Sequence, residues 1–70
     1  LKMNITKIDS TNFYLNEIGT TLIKKVNTSG TMSASQTMKA GIKATIKIGS
    51  DFYAIINGTG ANSELQKITI

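Results

Sequence analysis

The most regular pattern in the sequence is the stretch Ala40-Gly41-Ile42-Lys43-Ala44-Thr45-Ile46-Lys47-Ile48. Its Ala and Ile residues alternate with Gly, Lys and Thr, which is the period of a β-strand with one buried and one solvated face. Gly49-Ser50-Asp51 has the composition of a tight turn, and Phe52 to Asn57 is apolar on both faces. The pattern therefore predicts a β-hairpin whose second strand is the more central one.

Shorter β-like segments lie on both sides of this hairpin, separated by turn-forming residues. The upstream segments are Met3 to Ile8, Phe13 to Leu15 and Thr20 to Val26, and the downstream segment is Leu65 to Ile70. β-branched and aromatic residues between Asn, Gly, Ser and Thr clusters are typical of short strands joined by turns. These segments predict further strands of the same domain.

Residues 31–40 fit two structures. Ser33-Ala34-Ser35-Gln36 matches a helix capping box, and Gly41 could end a helix of about two turns. The apolar residues of this stretch also alternate as in a strand: Met32, Ala34, Met38 and Ala40. We favour the strand, because so short a helix is poorly stable by itself. One short helix near residues 33–40 stays open as the alternative.

The composition of the 70-residue chain also favours β structure. Ile is the most frequent apolar residue, and Ser, Thr, Asn and Gly together make up two-fifths of the chain. A chain of this length buries only about 60% of the surface that its unfolded form exposes, so its core is small. We predict one all-β domain over residues 1–70, a small antiparallel barrel or sandwich with five or six strands.

The sequence lacks the side chains that most catalytic and metal sites use. It contains no His, Cys or Arg, and its carboxylates are scattered near turn residues at Asp9, Glu17, Asp51 and Glu64. Gly58-Thr59-Gly60 is followed by neither a helix pattern nor a Lys-Ser pair, so it predicts a turn and not a phosphate cradle. We expect no enzyme activity, no cofactor, no metal site and no disulfide.

No segment of this chain has the pattern of a membrane span or an export signal. No apolar run approaches the ~18 residues of a transmembrane helix, and Leu1-Lys2-Met3 has no apolar signal-peptide stretch after it. The cellular location stays open.

The charge balance is basic, with eight Lys against four acidic residues and a net charge of +4. Lys39, Lys43 and Lys47 are four residues apart, so a strand that reached back to Lys39 would hold them on one face, about 13 Å apart. Such a stripe could attract the phosphates of a nucleic acid or an acidic partner. A solvated outer face is the alternative interpretation.

The aromatic residues form two adjacent pairs, Phe13-Tyr14 and Phe52-Tyr53. In a strand one member of each pair faces inward, so we expect Phe13 and Phe52 in the core and Tyr14 and Tyr53 on the surface as stacking platforms. The other predicted core residues are Leu22, Ile46 and Ile56.

Two functions follow from these observations. The leading hypothesis is a non-enzymatic protein-interaction or assembly module, such as a small viral, phage or surface structural component, or an inhibitor of a larger protein. Its partners would be another protein and copies of itself, because a homo-oligomer buries area that so small a core cannot supply. The alternative is a small nucleic-acid-binding β-barrel that uses the Lys39, Lys43 and Lys47 face with Tyr14 or Tyr53.

Overall fold

The computed structural model describes residues 1–60 and 62–70, which fold into two antiparallel β-sheets. The strands are β1 (Met3–Lys7), β2 (Asn12–Glu17), β3 (Leu22–Asn27), β4 (Met32–Thr37), β5 (Ile42–Ile48), β6 (Asp51–Asn57) and β7 (Ser63–Lys67). One sheet has the order β1-β2-β3-β4 and the other the order β5-β6-β7. The predicted small antiparallel β domain is confirmed as a sandwich-like pair of sheets, and the described strands do not close into a barrel.

Residues 31–40 contribute a strand. Met32–Thr37 pairs with β3, which brings the described part of the chain to seven strands, one more than the upper limit expected. No residue in the described ranges is helical, so the alternative of a short helix near 33–40 is wrong. Pairing with β3 gives this backbone more hydrogen-bond partners than an isolated two-turn helix would have.

β5 and β6 form the predicted hairpin. Ile48 pairs with Asp51, so the loop contains only Gly49 and Ser50. Gly49 has a φ of 63° and Ser50 has no positive φ, as in the type II′ turn, which favours Gly at its first loop position. β6 lies between β5 and β7, so it is the more central strand, as predicted.

A β-bulge in β5 changes which of its side chains face the core. The pairing with β6 shifts by one residue after Ile42, so Lys43 is an extra residue in β5. Ile42, before the bulge, is fully buried, whereas Ile46, after it, lies on the outer face and is 41% exposed. The prediction that Ile46 belongs to the core is therefore wrong.

The core lies between the two sheets and is small. Its buried apolar side chains are Tyr14, Ile23, Met38, Ile42, Phe52, Ala54, Ile56 and Ile68. Phe52 and Ile56 lie there as predicted, but Leu22 is 38% exposed and its neighbour Ile23 is buried instead. Because side chains of a strand alternate, assigning the wrong face moves every residue of β3 from one side to the other.

Side-chain hydrogen bonds connect the edges of the two sheets. At one edge, Asn4 of β1 donates from Nδ2 to the carbonyl of Lys43 in β5, at 3.1 Å. At the other edge, Gln36 of β4 donates from Nε2 to the carbonyl of Lys67, at 3.2 Å. Gln36 also accepts from the backbone N–H of Thr69, at 2.8 Å. These bonds give partners to some of the backbone carbonyl and N–H groups at the sheet edges. No continuous ladder of strand hydrogen bonds joins the two sheets in the described residues.

The connection between β2 and β3 leaves the first sheet and contacts the start of β5. The N–H of Gly19 donates to the carbonyl of Ile42 at 2.9 Å, and the N–H of Ile42 donates to the carbonyl of Thr20 at 2.8 Å. Consequently, β2 and β3 are paired only as far as Leu15 and Lys24. Beyond this pair the two strands diverge, which positions the hollow described below.

Candidate interaction surface

The three lysines predicted to share a strand face lie in different surroundings. Lys39 precedes β5 in the chain. The ammonium of Lys43 donates to the hydroxyl of Ser63 at 2.8 Å, and Nζ of Lys47 lies 5.7 Å from the centre of the Phe52 ring. The bulge at Lys43 interrupts the alternation of β5, on which the predicted stripe depends. Whether they bind an acidic partner stays a prediction.

Tyr14 is a core residue and not a surface platform. Its side chain is 5% exposed, and its hydroxyl donates to the carbonyl of Ile70 at 2.6 Å. Its ring meets the Phe52 ring edge to face, with the centroids 5.2 Å apart, and burial raises the pKa of the Tyr14 phenol above its usual value. The predictions of an exposed Tyr14 and a core Phe13 are both wrong, because β2 turns Tyr14 inward and leaves Phe13 half-buried on the outer side.

Tyr53 is half-buried and belongs to an apolar surface on the outer side of the three-stranded sheet. The register of the hairpin and of β7 brings side chains from all three strands together there. We call this surface the β5–β7 face, and its apolar side chains are Ala44, Ile46, Ile48, Tyr53, Ile55 and Leu65. Ile48 is 49% exposed and Leu65 is 56% exposed. A contiguous exposed apolar patch is more informative about binding than single exposed residues.

Polar side chains border the β5–β7 face at both ends. At one end, Asp51 and Lys67 form an ion pair with an N–O distance of 3.7 Å. At the other end, Lys43 is hydrogen-bonded to Ser63. An apolar centre with a polar rim is the usual layout of a protein–protein interface. The face therefore has the chemical pattern of a binding surface.

A second apolar surface lies on the outer side of the four-stranded sheet. The core separates the sheets, so this surface points away from the first. We call it the β1–β4 face, and its apolar side chains are Met3, Ile5, Phe13, Leu15, Leu22, Val26 and Met32. Ile5 is 66% exposed, and Met32 is 53% exposed. The molecule thus presents apolar side chains on both of its broad sides.

A hollow of about 230 Å³ interrupts the β1–β4 face where β2 and β3 diverge. Its lining residues are Met3, Leu15, Asn16, Glu17, Thr20, Leu22 and Lys24. The wall is partly apolar, and Glu17 and Lys24 bring one charge of each sign to it. Asn16 is buried, and its Oδ1 meets no donor among the described residues. A buried acceptor without a donor costs about 1 to 3 kcal/mol, so this atom of Asn16 lowers the stability of the fold.

The described residues contain no cluster of acidic side chains arranged to hold a metal ion. A helix with the length and apolarity to cross a membrane is likewise absent from residues 1–60 and 62–70. Comparisons with protein-family models, with curated proteins and with solved structures find no match to this chain. The two outer faces and the hollow are therefore the features from which a function can be inferred.

The two outer faces were not predicted, although part of the signal for them is present in the sequence. Phe52 to Asn57 is apolar on both faces, and this pattern predicts a strand covered from both sides. β6 is central within its sheet, but only its inner side is covered by the described part of the chain. A strand with two apolar faces in so short a chain is the signal that could have indicated an external partner.

Proposed function

We propose that this chain is a non-enzymatic protein-interaction module that assembles with further copies of itself through the β5–β7 face. The observation that supports the proposal is the apolar surface left uncovered on the outer side of the three-stranded sheet, where Ile46, Ile48 and Leu65 are each more than 40% exposed. Removing apolar surface from water contributes about 25 cal/mol per Å² to association. A second copy supplies the cover that the fold itself lacks.

The dimensions of the β5–β7 face suit reversible association. Neighbouring strands lie about 4.8 Å apart and same-face residues about 6.7 Å apart along a strand, so the six apolar positions cover on the order of 200 Å². A standard protein–protein interface buries about 800 Å² per partner. We therefore expect a contact whose occupancy depends on protein concentration.

The nucleic-acid hypothesis has less support in the geometry. Tyr14, one of its two stacking platforms, is buried, and the bulge separates the environments of Lys43 and Lys47. The net charge of +4 still favours weak, salt-dependent attraction to phosphate polymers. Oligonucleotide binding that persists at physiological salt would favour this alternative over the proposed function.

The test is the molar mass in solution of the parent protein and of an Ile46→Lys variant, measured by sedimentation equilibrium over a series of concentrations. Ile46 lies outside the core, so the substitution adds an ammonium to the β5–β7 face and leaves the core intact. We expect the parent to exceed the 7.5 kDa of a single chain and the variant to stay at that mass.

Thr28→Lys is the matched control, because it adds the same charge at an exposed turn outside both faces. This control should associate like the parent. A parent that stays monomeric up to about 1 mM, where a contact worth about 4 kcal/mol would be half formed, would contradict the proposal. Association of Ile46→Lys as strong as that of the parent would contradict the use of this face.

A further inference from the structure

Resting on the proposed self-association, we infer that copies stack head to tail, with the β5–β7 face of one copy against the β1–β4 face of the next. Both faces are apolar, and they lie on opposite sides of the sandwich. A dimer that used one face twice would leave the other face of each copy in water. A head-to-tail contact covers both faces with a single kind of interface.

The two faces also differ in shape in a way that suits them to each other. The β1–β4 face contains the hollow of about 230 Å³, whereas the largest apolar side chain of the β5–β7 face is the partly exposed Tyr53. The hollow is smaller than the roughly 300 to 1,000 Å³ of small-molecule pockets. Its size suits one anchoring side chain, and Tyr is among the residues that most often anchor interfaces. Two β1–β4 faces placed together would leave two hollows opposite each other.

The charged groups that line the hollow can pair with those beside Tyr53. Glu17 and Lys24 line the hollow, while Lys67 lies directly opposite Tyr53 in the sheet and is paired with Asp51. Each of these two sets contains one carboxylate and one ammonium. The further ammonium groups of the two faces, those of Lys7 and Lys43, lie toward the opposite ends of the faces. Glu17 can meet Lys67 of the next copy, and Lys24 can meet its Asp51. Charge pairs of this kind set the register and orientation of a contact more than its affinity.

Contacts between unlike faces have a consequence for the size of the assembly. Such a contact is heterologous, and it repeats from copy to copy unless the rotation between copies closes a ring. The free β5–β7 face at one end and the free β1–β4 face at the other end can each add a further copy. The expected product is an open-ended filament whose length grows with concentration.

The experiment is a complementation between two variants, each blocked on one face. Ile46→Lys blocks the β5–β7 face, and Ile5→Lys blocks the β1–β4 face at a side chain that is 66% exposed. Each variant alone should be monomeric. An equimolar mixture should form a dimer of twice 7.5 kDa, because each variant contributes the face that the other has lost. Circular dichroism and melting temperature confirm that both variants are folded.

The outcomes separate this inference from the proposed function. If Ile5→Lys alone forms a dimer, the β5–β7 face pairs with itself, and the head-to-tail inference is wrong while the proposed function stands. If the mixture stays monomeric although the parent associates, the inference also fails. If the parent itself stays monomeric, the proposed function fails as well.

A third variant tests the anchor. Tyr53→Thr keeps a strand-forming residue but removes the ring, and we expect the concentration at half-assembly to rise tenfold or more. Thr28→Lys again serves as the surface control. An unchanged half-assembly concentration in Tyr53→Thr would show that the hollow does not receive this side chain and would overturn the proposed orientation.

Discussion

Gly41 allows the connection between β2 and β3 to lie directly against the start of β5. A Cβ at this position would lie 2.8 Å from the carbonyl oxygen of Gly19 and 3.1 Å from Nδ2 of Asn57. Backbone segments of both sheets would have to move apart. We expect Gly41→Ala to lower the free energy of unfolding by about 1 to 3 kcal/mol, the usual range for overpacking, as measured by urea denaturation.

Ser50→Ala is the control for this prediction. Ser50 is exposed in the β5–β6 turn and needs no positive φ, so its substitution should change the free energy of unfolding by less than about 0.5 kcal/mol. If Gly41→Ala is as stable as Ser50→Ala, the close approach at Gly41 is not a constraint on the fold.

Asp9 stabilises the turn between β1 and β2 through its charged form. Its Oδ1 accepts from the backbone N–H groups of Thr11 and Asn12, each at 2.8 Å. The backbone N–H of Thr11, followed by the side-chain amide of Asn12, lowers the pKa of Asp9 from 3.8 to about 2. A lowered pKa in the folded state means that this stabilisation is complete above a pH of 3.8 and is lost as the pH falls through about 2.

The Asp9 prediction is checked by carbon-13 NMR titration of the carboxyl group together with melting curves of Asp9→Ala. We expect the titration midpoint near 2, and a deficit in melting temperature of the variant that is present at neutral pH and shrinks as the pH falls from 3.8 to about 2. The effect is small, because Asp9 is fully exposed. A midpoint at the ordinary value of 3.8 would show that the turn does not hold the carboxylate.

At the scale of the element, β3 shows how strongly neighbouring residues differ in their energetic role. Ile23 is fully buried, whereas Leu22 is 38% exposed on the opposite side. We expect Ile23→Ala to lower the free energy of unfolding by about 2 to 5 kcal/mol and Leu22→Ala by less than about 1 kcal/mol, both measured by denaturation. Equal losses of unfolding free energy in the two variants would mean that Ile23 and Leu22 do not differ in burial as the structure shows.

The strands themselves could be predicted from the sequence, because alternation and turn residues are local signals. The hairpin of β5 and β6 and its Gly49-Ser50 turn follow from a few adjacent residues. The bulge at Lys43 could not be predicted, since Ile42, Ala44 and Ile46 alternate in the sequence as if no extra residue interrupted them.

The face that a strand buries depends on what packs against it, and that is a long-range property. β2 and β3 carry apolar residues on both sides, so Tyr14 and Phe13, or Ile23 and Leu22, are equivalent in the local pattern. The exposed position predicted for Tyr14 is wrong for the same reason, because it was placed by alternation alone. The lysine stripe rests on the same rule, and its binding role stays a prediction. Which apolar side chains form the outer faces depends on which side of each sheet packs inward, and that is set by the contact between the sheets.

At the scale of the whole molecule, the apolar side chains are divided between the inside and the outside. Among the described residues, eight apolar side chains are buried and nine large ones are exposed. Amide side chains, those of Asn4 and Gln36, hold the sheet edges together. A fold that places so much of its apolar content on its broad sides gains stability when those sides are covered.

Assembly should therefore make the thermal stability depend on protein concentration. A contact that forms only between folded copies stabilises the folded state, and its contribution grows with the concentration of free copies. For a domain of this size we expect the melting temperature to rise by about 5 to 10 °C per tenfold increase in concentration once most copies are associated, as measured by differential scanning calorimetry. Ile46→Lys, with its β5–β7 face blocked, should melt at one temperature throughout the series.

The contrary outcome is a parent protein that associates by light scattering but melts at the same temperature at every concentration. In that case the copies would associate without using the faces of the folded protein.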